Sequence, residues 1–211
     1  MKIKFKFVLS LVILLAACRG SEDRKSYQIK VNQVEVQRLP DLMLDSQNIY
    51  SCLSTYNLNN SVKTVQDYKD YGNKTAGINM GFTITTDDAY SLGLRIRFYR
   101  DSYDADRWFK HLFETKPKRL KYLPGVGDVA FIPAGPEYWN ATSVILYGNA
   151  ILSIDIESRS KRIPHYTADR NNTKKIYESQ NPIYRDFIQD FYPHFKQCAD
   201  QAKIPVQESS K

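Results

Sequence analysis

The stretch TSVILYGNAILSIDIES, residues 142–158, decides the fold class. Two apolar-rich runs flank Gly148-Asn149, a two-residue connection of the kind that closes β-hairpins because its residues tolerate positive φ. In the second run Leu152, Ile154 and Ile156 alternate with Ser153, Asp155 and Glu157, so one face is dry and the other wet. The same period recurs upstream. In AYSLGLRIRFYRD (89–101), Leu92, Leu94, Ile96 and Phe98 alternate with Gly93, Arg95, Arg97 and Tyr99. GINMGFTITT (77–86) reads as its antiparallel partner, turning near Asp87-Asp88. YQIKVNQVEV (27–36) shows strand alternation with a one-residue phase slip, and VAFIP (129–133) is a short strand.

Helical spacing appears three times. In residues 40–58, Leu42, Ile49, Cys52, Leu53 and Tyr56 fall near one face. In SYDADRWFKHLFE (102–114), Ser102 reads as N-cap and Ala105, Trp108, Phe109, Leu112 and Phe113 as the apolar stripe. The last helix reads as starting with Asn181 as cap and Pro182 at its first position. Ile183, Phe187, Phe191, Phe195 and Cys198 continue it, with a kink or break expected around Pro193. Residues 57–76 read as a loop with some strand, 157–180 as a long basic loop and 201–211 as a patternless, disordered tail. Hairpin strands interrupted by helices imply one α+β domain: a curved antiparallel sheet with two to three helices packed on it.

The N-terminus carries an address. Lys2, Lys4 and Lys6 precede an apolar run from Phe7 to Ala17, about 16 Å as a helix and too short for the roughly 30 Å of a bilayer core. It reads as a secretory signal over residues 1–17. Leu15-Ala16-Ala17-Cys18 resembles the lipobox of bacterial lipoproteins. That resemblance implies cleavage before Cys18 and acylation of its thiol; two or more acyl chains anchor a protein stably. Residues 18–26 then form a lipidated tether and 27–200 the folded domain. Arg19, where enteric-type sorting reads aspartate as an inner-membrane signal, implies the outer membrane, with the domain facing the periplasm.

Losing residues 1–17 removes three lysines and no acid, so a formal charge of +7 falls to +4. That balance gives no argument for nucleic acid. With Cys18 assigned to lipid, Cys52 and Cys198 remain as an even pair. In an oxidising compartment they read as a disulfide, the alternative being two separate buried thiols.

Within LPGVGDVAF (123–131), Gly125, Gly127 and Ala130 match G-x-G-x-x-A. The segment that follows is strand-like, not the helix a dinucleotide pyrophosphate needs, so it reads as a tight turn whose Asp128 accepts bonds from turn amides. The run P-G-x-G-D-x-A-F, with the 142–158 hairpin after it, resembles a segment of small exported lipoproteins and sensor domains with PsbP-like folds. This implies a helix-plus-curved-sheet domain and a role in binding or assembly more than catalysis.

Candidate chemistry is sparse. Asp155 and Glu157 share a strand face at about 7 Å, which a solvated outer face explains. His111, His165 and His194 have no mutual spacing that builds a metal site. G-x-S-x-G, H-E-x-x-H and Walker patterns do not occur. No cofactor is expected. Two basic clusters stand among tyrosines as a candidate binding patch: Lys116, Lys118, Arg119 and Lys121, then Arg159, Lys161, Arg162, Arg170, Lys174 and Lys175. The partners they suit are an envelope protein or an anionic envelope component. The sequence thus reads as a lipid-anchored, non-enzymatic binding or assembly accessory. The alternatives are a lipid or small-molecule carrier with an aromatic cavity between sheet and helices, and a hydrolase whose site leaves no motif.

Overall fold

The computed structural model describes residues 26–39, 42–72, 75–84, 90–115, 120–135, 142–158 and 170–204. Its centre is a seven-stranded antiparallel sheet of β4 (Ser61–Asp70), β5 (Thr75–Ile84), β6 (Tyr90–Tyr99), β7 (Leu120–Leu123), β8 (Val129–Pro133), β9 (Ser143–Tyr147) and β10 (Ala150–Ser158). The spatial order is β4-β5-β6-β10-β9-β8-β7. β9 and β10 are the hairpin expected around Gly148-Asn149, with Ala150 opposite Tyr147. Gly148 sits at φ +55° with its backbone against Leu42; an added Cβ would lie 2.7 Å from the Leu42 carbonyl oxygen.

One face of the sheet carries α1 (Ser46–Leu53) and α3 (Arg170–Gln201). The side chains between are mainly aliphatic from the sheet, with a run of aromatic rings from α3. Phe187, Phe191 and Phe195 recur every four residues along α3 and stack on one another at 5.2 and 6.0 Å between centroids. Leu92, Leu94, Ile96 and Phe98 of β6 meet this layer, so the predicted dry face is the buried one. A two-stranded hairpin, β1 (Tyr27–Val31) with β2 (Val34–Arg38), and helix α2 (Ser102–Thr115) cover the opposite face. That second core joins Ile29, Val31 and Val36 to Ala105, Phe109 and Phe113, over Phe131, Val144, Leu146 and Ile151. Its buried residues come from β8, β9 and β10, and it touches β6 and β7 only at the partly buried Tyr99 and Leu120. Accordingly β8 and β9 are buried at every position, while β5 and β6 keep one side partly open.

Several expectations are corrected. The phase slip in 27–36 is a turn: Asn32 and Gln33 take φ +45° and +68°, reversing the chain between β1 and β2. The first helix is only Ser46–Leu53, capped by the Asp45 carboxylate, which accepts from the Gln47 and Asn48 amides. Met43–Leu44, expected as helix, is a short strand (β3) paired with Lys203–Ile204 (β11), which were expected in the tail. Asp101, not Ser102, caps α2: its carboxylate accepts from the Asp104 amide at 2.8 Å. The strand expected within the 57–76 loop is longer than read: Ser61–Asp70 is a ten-residue edge strand with a bulge between Lys63 and Val65. Residues 170–180, also read as loop, are the first turns of α3. The helix passes through both Pro182 and Pro193, so Asn181 caps nothing. A proline costs an interior helix one backbone bond, and the buried ring stack running past Pro193 outweighs that loss.

Candidate binding surface

A buried arginine fixes the geometry of the second layer. Arg38, the last residue of β2, is 1% exposed. Its Nε donates to Asp106 of α2 at 2.9 Å, one guanidinium nitrogen donates to Asp128, and the other to the Gly148 carbonyl at 2.6 Å. Asp128 also accepts the Gly148 amide at 2.8 Å, so it does bond a turn amide, although in the neighbouring hairpin. Asp106 accepts in addition from the Tyr27 hydroxyl. One side chain thus ties the N-terminal hairpin, α2, the GVGD turn and the β9–β10 turn together. Burial pushes the Asp128 carboxyl up, against the opposing pull of Arg38. Burial, with Asp106 beside it, holds the Tyr27 phenol well above the usual tyrosine range.

Between β1 and α2 lies an open groove of about 640 Å³. Tyr27 and Tyr103 stack at 4.8 Å along it, with Arg107, Lys110 and His111 on the helix side. Trp108, expected in the buried stripe, is 50% exposed, and Leu112 is 41% exposed. Ala105, Phe109 and Phe113 alone carry the core face of α2. Trp108 packs edge-on to His111 and tilted toward Tyr99, and beyond it the open half of the sheet begins. There Arg97 lies 5.9 Å over the exposed Tyr71 ring, within cation–π range. Arg95, opposite Asn79 and Ser153, lies on the same open face as Arg97. Aromatic rings and basic groups therefore continue from the groove onto the sheet. Trp, Tyr and Arg are enriched where proteins meet partners, and they dominate the energy of such contacts.

This surface is not the one expected from sequence. Of the two predicted clusters, Lys116, Lys118, Arg119, Arg159, Lys161 and Arg162 lie outside the described residues. Lys121 is exposed on β7, Lys174 and Lys175 are exposed on α3, and Arg170 begins that helix. Cys18 and the lipobox are also outside. Asp155, which accepts from the Thr142 hydroxyl, is partly exposed on the open side of β10, and the Glu157 side chain lies outside what the structure describes. Cys52 and Cys198 are joined as a disulfide, their Cα atoms 5.7 Å apart. His194 stands beside that bond. His111 is in the groove, and His165 is outside the described residues. Between the sheet and α1/α3, Tyr56, Phe82, Phe187 and Phe191 pack on one another, and an open pocket of about 360 Å³ lined by Ile84, Ile183 and Phe187 lies beside them. Among the described residues no helix is long and apolar enough to cross a membrane. No protein-family model, no curated protein and no solved structure matches this chain.

Proposed function

We propose that this protein is a bacterial envelope lipoprotein, anchored through Cys18, whose domain acts as a non-enzymatic binding or assembly accessory. The observation that carries this reading is the uncovered aromatic–basic surface of α2 and the adjoining half-sheet. Trp108, Tyr103 and Tyr71 each leave about half of their surface exposed, and Arg95, Arg97 and Lys110 set the charge of this face together with Arg107, which pairs with Asp104 at 3.1 Å. The partner that fits is the acidic face of an envelope protein or an anionic envelope component. The rigid layer held by Arg38 suits recognition, since a preformed surface loses little conformational freedom on binding.

The test pairs two pull-downs from detergent-solubilised envelope. Wild-type protein is compared with Trp108→Ala/Tyr103→Ser and with Arg97→Ser/Arg107→Ser. Both variants should lose the co-purifying component while keeping a wild-type unfolding curve. Unchanged recovery with both variants contradicts the surface. Separately, Cys18→Ser should move the protein from the membrane to the soluble fraction; retention in the membrane would contradict the anchor.

A further inference from the structure

A histidine is built against the disulfide. Cys52 lies in the last turn of α1 and Cys198 in the last turn of α3. One helical turn before Cys198, His194 places Nε2 3.8 Å from the Cys198 sulfur. Its ring is held there by stacking on Tyr56 at 5.2 Å and 29°. Tyr56 is itself fixed by donating its hydroxyl to Asp190 at 2.9 Å. The ligand atoms of Cys52, His194 and Cys198 all fall within 4.8 Å of one another. Cys198 is buried, whereas Cys52 and His194 are partly exposed, so the cluster opens to solvent on one side.

We propose that when the disulfide is reduced, Cys52, Cys198 and His194 form a three-ligand site for a thiophilic divalent cation, zinc(II) by the chemistry of the donors. A dithiol reductant supplies the two electrons: its sulfurs become a disulfide, and the Cys52–Cys198 bond opens to two thiols. Each thiol loses its proton as it bonds the metal. With zinc–sulfur bonds of about 2.3 Å and zinc–nitrogen bonds of about 2.0–2.1 Å, a tetrahedral centre sets nitrogen and sulfur about 3.6 Å apart and its two sulfurs about 3.8 Å apart. His194 and Cys198 already stand near the first spacing, and their i, i+4 placement on one helix keeps them there. Only the Cys52 side chain, on the shorter helix and more exposed than Cys198, has to turn away. The solvent side leaves the fourth position to water or to a ligand from a partner. The site joins a histidine to the cysteine pair, a juxtaposition that the spacing of the histidines alone does not show. It is independent of the proposed binding role.

The experiment uses the full chain, reduced with a phosphine under anaerobic conditions and titrated with cobalt(II). One equivalent should raise an intense near-ultraviolet thiolate-to-cobalt band with the visible bands of a tetrahedral centre. The oxidised protein should give neither, and zinc should abolish both. His194→Gln keeps both thiols and should bind zinc at least about tenfold more weakly. As a second readout, zinc should raise the thermal midpoint of the reduced protein and leave the oxidised protein unchanged. Absence of the thiolate band in reduced, folded protein overturns the proposal, and so does equal zinc affinity in His194→Gln. If reduction unfolds the chain, zinc should restore its far-ultraviolet circular dichroism; failure to do so overturns the proposal equally.

Discussion

Replacing Arg38 by methionine removes the guanidinium from between two carboxylates while keeping most of the apolar stem. The variant loses the bonds to Asp106, Asp128 and the Gly148 carbonyl together. What remains tempers the loss. Asp106 keeps the Tyr27 hydroxyl and Asp128 keeps the Gly148 amide, but both carboxylates are left without a counter-charge, Asp106 almost fully enclosed. Breaking a buried pair from one side costs about 3–5 kcal/mol, and the surviving bonds place the expected loss near the lower figure. That is a large part of the roughly 5–15 kcal/mol that holds a typical domain together. With a urea m-value of about 2 kcal/mol/M, the midpoint should fall by about 1.5 M at unchanged slope. Hydrogen exchange adds a spatial readout: amides of β1 and β2 should lose protection before those of β5 and β6. Neutralising the partners as well, in Arg38→Met/Asp106→Asn/Asp128→Asn, should recover at least about half of the loss, because no buried charge is then unpaired. A loss below about 1 kcal/mol in the single variant, or a triple variant less stable than the single, would refute the claim that this arginine holds the second layer.

Further outcomes follow from the same geometry. Gly127→Ala should destabilise by about 1–3 kcal/mol in urea unfolding, because Gly127 sits at φ +62° and an added Cβ would lie 2.6 Å from the Leu146 carbonyl oxygen. Cys52→Ser/Cys198→Ser opens a loop spanning 146 residues and should lower stability by about 2–5 kcal/mol, read as a drop in Tm against oxidised wild type. Alkali should unfold the protein steeply. Burial raises Tyr147 to about 12 and holds Tyr56 and Tyr184 higher still, so the folded state keeps these protons while the unfolded state releases them near pH 10. Stability contributed below pH 10 is therefore lost as pH rises, by about 1.4 kcal/mol at pH 11 for the most enclosed residue, Tyr184. Phenolate absorbance should rise in two phases, the second coinciding with unfolding; a single phase near pH 10 in the folded protein would contradict the burial.

The central strands were legible because they show their environment in their own residues. β6 and β10 carry one apolar face each at period two, and the sheet buries those faces. β4 was not legible. It is an edge strand with no fully buried residue, and its bulge interrupts what alternation it has. The opening turns of α3, RNNTKKIYESQ, contain few apolar residues, and Asn181-Pro182 imitates a helix start in the middle of a helix. Local signals of capping type lose there to the packing of Phe187, Phe191 and Phe195. The orientation of α2 was legible only to within one row of side chains. Trp108 and Phe109 are neighbours on the same stripe, and only the tertiary position of the β1–β2 hairpin determines which one is covered. The Arg38 cluster could not be read at all, since its partners lie 68, 90 and 110 residues away. The nearest signal was the Asp128 carboxylate in the GVGD turn. The disulfide was legible by counting, once Cys18 was set aside.

The most direct measurement of the proposed role is site-specific photocrosslinking in living cells. A photoreactive residue at position 112, exposed on α2 one turn from Trp108, is compared with one at position 174, exposed on α3. The binding account predicts a discrete crosslinked product from position 112, in the membrane fraction, that disappears when Arg97 and Arg107 are replaced by serine. Equal labelling from both positions, or no product from position 112 in anchored protein, would contradict it.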